Sequence, residues 1–180
     1  MGIKLRVVQA PRTWKENLKD FGSLESQWTL RVDHFFGGGD YVTSVQDMVR
    51  FVIQACSSSQ DTIDELTISG HGSNRHFRIG ADAISTSTID SFKDELAKLI
   101  PHFSSPATVF VEACNAGLDK ELMRRFSGAL GGVSVVARQE LQSAFWGPSG
   151  PPVIADPRGT YTVPAPASGV SPPSLPPPGS

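Results

Sequence analysis

Two side chains in this sequence have the chemistry for nucleophilic acyl transfer, and each closes a short apolar run. The first is His71, in Leu66-Thr67-Ile68-Ser69-Gly70-His71-Gly72-Ser73. The second is Cys114, 43 residues further on, in Val109-Phe110-Val111-Glu112-Ala113-Cys114-Asn115-Ala116-Gly117. A thiol attacks as thiolate, so a reactive cysteine needs a neighbour that favours negative sulfur. An imidazole does this, and can also hand a proton to a departing amine. Glycines at 72 and 117 let backbone turn sharply and approach a substrate closely. The amides of Gly72 and Cys114 are the candidate donors to a developing oxyanion, a contact worth roughly 3 kcal/mol of transition-state stabilisation. Taken singly, a cysteine after an apolar strand is usually a small core residue. It is the pairing that makes the two segments informative.

For this pair to work, both segments must be strands ending on the same edge of one sheet, where open parallel sheets bind ligands. The surrounding pattern fits that requirement. Ile3-Lys4-Leu5-Arg6-Val7 alternates with period two and reads as a strand, and Pro11 ends it. Arg12 to Phe21 suggests one or two helical turns, and Gln27 to Phe36 a second strand beside the first. Gly37-Gly38-Gly39-Asp40 reads as a tight strand-to-helix loop; it lacks the Lys-Ser/Thr of a phosphate cradle. Ser44 to Ala55 has a helical apolar face, with Ser44 and Asp47 as a capping pair. The Ser57-Ser58-Ser59-Gln60 run should end that helix, and Ile63 to Ser69 forms the next strand.

Beyond the histidine, Phe77-Arg78-Ile79-Gly80 suggests a hairpin arm. Ser87 to Ile100 is the second helix, capped by Ser87 and Asp90 and closed by Pro101. Ala107 to Ala113 is nearly all apolar, as for a strand buried on both faces. Leu118 to Leu130 is the third helix, its dipole directed at Cys114; Gly131-Gly132 stops it, and Val133 to Ala137 is a further strand. Such alternation predicts an α/β fold, a mostly parallel central sheet with helices on both faces. Gly159 to Val163 adds an edge strand. From Pro164 onward, seven of the 14 prolines fall among Gly, Ser and Ala. Residues 1–163 are therefore expected to form one domain and 164–180 a disordered tail.

Composition narrows the function. A net charge of -2 with scattered Lys and Arg argues against a nucleic-acid or membrane-surface binder. Two cysteines, Cys56 and Cys114, suit a reducing compartment rather than a disulfide scaffold. Cys56, at the end of a helical pattern, is expected to be an inert buried thiol. No C-x-x-C or H-E-x-x-H spacing occurs, and His71 with His76 is a weak metal signal, so no metal or cofactor is expected. Neither G-x-S-x-G nor G-x-G-x-x-G is present, which disfavours a serine esterase and a dinucleotide binder. Met1 to Ala10 has no continuous apolar core, so a signal peptide is not expected, and no stretch reaches transmembrane length. The expected location is cytoplasmic, or exported without such a leader.

Ser69-Gly70-His71-Gly72-Ser73 together with Glu112-Ala113-Cys114-Asn115-Ala116-Gly117 resembles the signature of the caspase-like cysteine peptidases (clan CD). That group includes caspases, metacaspases, legumains, clostripain, gingipains and the autoprocessing domains of bacterial toxins. The wording around Cys114 is most similar to legumain, and the Arg78-Ile79-Gly80 arm to toxin-associated domains. The resemblance spans roughly residues 42–140; the N-terminal strands match none of its motifs. It implies a three-layer caspase-like sandwich and a cysteine endopeptidase with His71 and Cys114 as dyad and the Gly72 amide in the oxyanion hole. Glu112, Ser73 and Asn115 would then touch a protein or peptide substrate. That substrate includes the chain itself, as in a bacterial toxin or effector that processes itself. Glu112 reads equally as a salt-bridged sheet-edge carboxylate. The rival reading is a caspase-like binding or scaffold domain with an idle thiol.

Overall fold

The computed structural model describes residues 2–10, 39–138, 142–143, 147–148, 152–156 and 161–162. Strand β1 is Ile3–Gln9 and β2 is Asp40–Val42, followed by helix α1, Val45–Ser59. Then come β3 (Ile63–Ser69), a hairpin of β4 (His76–Ile79) and β5 (Asp82–Ser85), and α2 (Ile89–Ala97). A 3-10 turn at Ile100–His102 leads into β6 (Phe103–Glu112), and a second at Ala116–Leu118 into α3 (Lys120–Ala129). After these lie β7 (Ser134–Arg138), β8 (Gln142–Ser143), β9 (Gly147–Pro148), β10 (Pro152–Ala155) and β11 (Tyr161–Thr162).

Seven strands form the main sheet in the order β11-β10-β7-β6-β3-β1-β2. The five from β7 to β2 run parallel, and β10 and β11 add an antiparallel edge. The fold is thus α/β with a mostly parallel central sheet. From β2 onward the chain crosses to β3, β6 and β7 in one direction, each time through a helix. Right-handed crossovers taken in one direction stack their helices on one face. Accordingly α2 packs against both α1 and α3. The expectation of helices on both faces is therefore met on one face by the described helices. The helix expected at Arg12 to Phe21 and the strand expected at Gln27 to Phe36 lie outside the described residues, as does the tail from Pro164.

The core sits between this helix layer and the sheet. Val7, Leu66, Ile68, Val109, Val111 and Val135 meet Met48, Val52, Leu96, Leu122 and Phe126, all withdrawn from solvent. The alternate residues give the sheet's other face a mixed character: Val8, Phe110 and Val136 stand among ion pairs in which Lys4 meets Glu65 at 2.8 Å and Arg6 meets Glu112 at 2.6 Å.

Local chemistry moves several boundaries. Gly39, at φ 114, leads into β2 and not directly into a helix. It lies where a Cβ would come within 2.8 Å of the Arg6 carbonyl. Ser44 caps α1 as expected, its Oγ accepting from the Asp47 N–H at 3.1 Å, but Asp47 in turn accepts from Thr43 N–H at 2.9 Å. The serine run does not end α1, which continues through Ser59, with Ser57 and Ser59 donating to the carbonyls of Ile53 and Ala55. At α2 the boundary residue is Thr88, not Ser87, and no side chain caps the helix. Thr88 Oγ1 is committed to Ser85 N–H and the Ala83 carbonyl, and Asp90 to Arg125.

Candidate active site

Strands β3 and β6 are neighbours, and their register ends at Ser69↔Glu112. His71 and Cys114 each stand two residues beyond that last pair, at the same C-terminal edge. Two bonds tie the roots of the loops together. Ser69 Oγ donates to Glu112 Oε2 at 2.7 Å, and Gly70 N–H donates to the Glu112 carbonyl at 3.1 Å. His71 and Cys114 are both half-buried, so neither is sealed inside the core.

The histidine loop is clamped on both sides. His71 N–H donates to Gln9 Oε1 at 2.9 Å, and its carbonyl accepts from Arg78 N–H at 2.8 Å. A second rung, Ser73 N–H to the His76 carbonyl at 2.8 Å, makes Gly72 and Phe77 an antiparallel bridge. In that geometry the Gly72 amide points away from the hairpin. The hairpin itself is anchored by Phe77, fully buried, edge-on to Phe126 of α3 at 5.0 Å and 79°. Close approach explains Gly70, where a Cβ would fall 2.5 Å from the Arg78 carbonyl. The His71 Nε2 atom is withdrawn from solvent. Ser73 Oγ lies 3.0 Å from His76 Nδ1 and accepts from Arg75 N–H. Burial, and secondarily the Arg78 charge, hold the His76 imidazole below its ordinary value.

The cysteine loop turns through Asn115, in the left-handed region at φ 57. Its carbonyl accepts from Leu118 N–H at 3.0 Å. At Gly117 a Cβ would meet the Arg138 carbonyl at 2.8 Å, so this glycine seats the turn on the end of β7. The expected close approach to a substrate is taken up by that strand. At Gly72 a Cβ would meet Ala113 Cβ and the Cys114 carbonyl oxygen, each at 2.8 Å. The backbone of the histidine loop therefore rests on the peptide that carries the cysteine.

One expected electrostatic aid is displaced. Helix α3 begins at Lys120, not near Leu118, and Asp119 caps it by accepting from Leu122 N–H at 2.9 Å. A carboxylate thus answers the helix's positive end five residues past Cys114.

The expected residues divide into two groups. His71 and Cys114 stand at the same sheet edge, and the backbone at Gly72 lies against that of Cys114. Ser73 is engaged with its own turn, and Asn115 supplies a backbone corner. Glu112 Oε2 is held by Arg6 at 2.6 Å and by Ser69, in the salt-bridged arrangement that its position also allowed. Sequence reasoning missed Gln9, buried to 1% exposure at the end of β1. Its signal was an uncharged polar residue where the strand's alternation meets the reactive edge. Two grooves lie elsewhere, on the helix layer: about 480 Å³ between α1 and α2, and about 190 Å³ between α2 and α3. Among the described residues, no cluster of three or more His, Cys, Asp or Glu is placed to hold a metal. No described helix is long and apolar enough to cross a membrane.

Residues 40–142, more than half of the chain, match the family model described as a domain of unknown function, DUF4347. The chain belongs to the DUF4347 family. No curated protein matches it. The DUF4347 segment contains β3, β6, His71, Cys114 and the three described α-helices, and leaves β1 with Gln9 outside the match.

Proposed function

We propose that this DUF4347 domain is a cysteine endopeptidase of the caspase-like type, with the three-layer architecture that type implies. The observation that carries the proposal is the Ser69↔Glu112 register, which delivers His71 and Cys114 to one edge of a parallel sheet with Gly72 resting on the cysteine peptide.

In this reading Cys114 Sγ, as thiolate, attacks the scissile carbonyl and forms a C–S bond. The carbonyl oxygen takes up the electron pair and is met by the Gly72 and Cys114 amides. Collapse of the tetrahedral adduct breaks the C–N bond, and His71 protonates the departing amine. Water, deprotonated by the same imidazole, then hydrolyses the thioester and returns the thiol. No metal or cofactor has a part in it. The substrates are protein or peptide chains, this chain among them, in the cytoplasm or after export. With Ser73 and Glu112 engaged internally, Asn115 is the remaining candidate for a substrate contact.

The test is iodoacetamide labelling of the folded chain at neutral pH. Cys114 should react much faster than Cys56, whose buried thiol is pushed up by desolvation. His71→Ala should slow labelling of Cys114, and a peptide electrophile should protect it. Equal, slow labelling of both thiols favours the scaffold reading with an idle cysteine. Fragments that form from wild-type chain but not from Cys114→Ala chain would establish self-processing.

A further inference from the structure

The His71 peptide is held by a strand that neither reactive loop belongs to. Gln9 ends β1, one position beyond the registered pair Val8↔Ser69, and its side chain is almost completely buried. An uncharged amide that leaves water must find partners or be costly to the fold. Gln9 directs Oε1 at the His71 N–H, 2.9 Å away and 62 residues along the chain. The neighbouring Gly70 is fitted to the same contact: a Cβ there would stand 3.2 Å from Gln9 Oε1. The opposite side of the His71 peptide is fixed by Arg78 N–H. The backbone at position 71 is therefore gripped by two elements at once, which fixes the point and direction from which the imidazole leaves the main chain.

We propose that Gln9 is a positioning residue for the imidazole of His71, acting through the main-chain N–H and touching no substrate. This rests on the peptidase reading above and adds to it a residue outside the DUF4347 match. Its consequence is that β1 is required for reactivity at the edge as well as for completing the sheet. Helix-face packing by Val7 would stabilise the fold whether or not residue 9 accepts a hydrogen bond. The contact from Gln9 matters to the geometry of one ring.

The experiment uses the full chain with Gln9→Met, which keeps length and loses the acceptor, and Gln9→Glu, which keeps an acceptor oxygen. The probe is iodoacetamide, followed at Cys114 from about pH 5 to pH 9, a range that spans imidazole titration. Gln9→Met is expected to slow Cys114 labelling by about ten- to a hundredfold, the penalty of misplacing a reacting group by up to ~1 Å. It should also flatten the inflection that His71→Ala removes. Gln9→Glu is expected to restore both rate and inflection. A merely structural role would lower the melting temperature and leave the inflection in place.

The proposal is overturned if folded Gln9→Met labels at the wild-type rate with the wild-type inflection, or if Gln9→Glu is as impaired as Gln9→Met. Should Gln9→Met fail to fold, amide hydrogen exchange of the wild-type chain decides. His71 N–H is expected to exchange as slowly as the amides of β3, and exchange at an open-loop rate refutes the contact. Failure here is separable from failure of the peptidase reading. Slowing by His71→Ala with an unaffected Gln9→Met sinks only the role of Gln9, whereas an unaffected His71→Ala sinks the dyad.

Discussion

Replacing Gly72 with alanine tests the meeting of the two loops directly. The new methyl would stand 2.8 Å from Ala113 Cβ and 2.8 Å from the Cys114 carbonyl oxygen, where ordinary contact begins at 3.4 Å. The gap must therefore open by ~0.6 Å, and neither obstacle is the end of a flexible side chain. Ala113 is itself buried in the core, so the cysteine loop and the histidine loop have to part. Overpacking of this kind costs about 1–3 kcal/mol. At about 2–4 °C per kcal/mol for a chain of this size, the melting temperature should fall by about 2–12 °C. A shift of that order between nucleophile and base should slow Cys114 alkylation about tenfold. Urea unfolding, thermal melts and labelling rates on the same preparation measure all three. Wild-type stability together with wild-type labelling would refute the packing of one loop on the other, and with it the geometric basis of the proposed dyad.

Gly128 makes the opposite case. It is an exposed residue inside α3 with nothing within 4 Å of a would-be Cβ, so Gly128→Ala should stabilise the chain by about 0.5–1 kcal/mol in urea unfolding. Phe77 and Phe126 are both fully buried and edge-to-face at 5.0 Å; alanine at either should cost about 3–5 kcal/mol. A double-mutant cycle should return a coupling of about 0.5–1.5 kcal/mol, and zero coupling would show that the hairpin is not held by this pair. His76 should make stability fall as pH drops. Its imidazole is held below the ordinary 6.5 in the folded chain, so the unfolded chain takes up its proton first. The contribution is complete above about pH 6.5 and is lost as pH falls from there towards the folded value. The urea midpoint of His76→Gln, compared with wild type between about pH 7 and pH 5, should lose this slope.

Elements with a strong local signal were legible from the amino-acid order. Strand β3 was bounded residue for residue, because Ile63 to Ser69 carries its apolar Leu66 and Ile68 at period two between a polar turn and a glycine. The capped start of α1 followed from Ser44 and Asp47. Boundaries drifted where side chains competed for backbone groups: the serines in the last turn of α1, the threonine that replaces Ser87 at α2, and Asp119, which moves the start of α3. None of these contests can be judged without knowing which carbonyl or amide lies within reach.

By itself, the order of residues determined that this is an α/β chain whose histidine and cysteine each follow a strand. Period-two and helical spacing are local properties that need no knowledge of neighbours in space. Tertiary structure decided the rest. Whether Ser69 faces Glu112, whether Gln9 reaches the His71 amide, and on which side of the sheet the described helices stack depend on strand order and register. A register slip of one residue turns every side chain of a strand to the other face. Such long-range pairings leave no trace in any stretch of sequence short enough to read alone, which is why the clamp on His71 became visible only once β1 and β3 lay side by side.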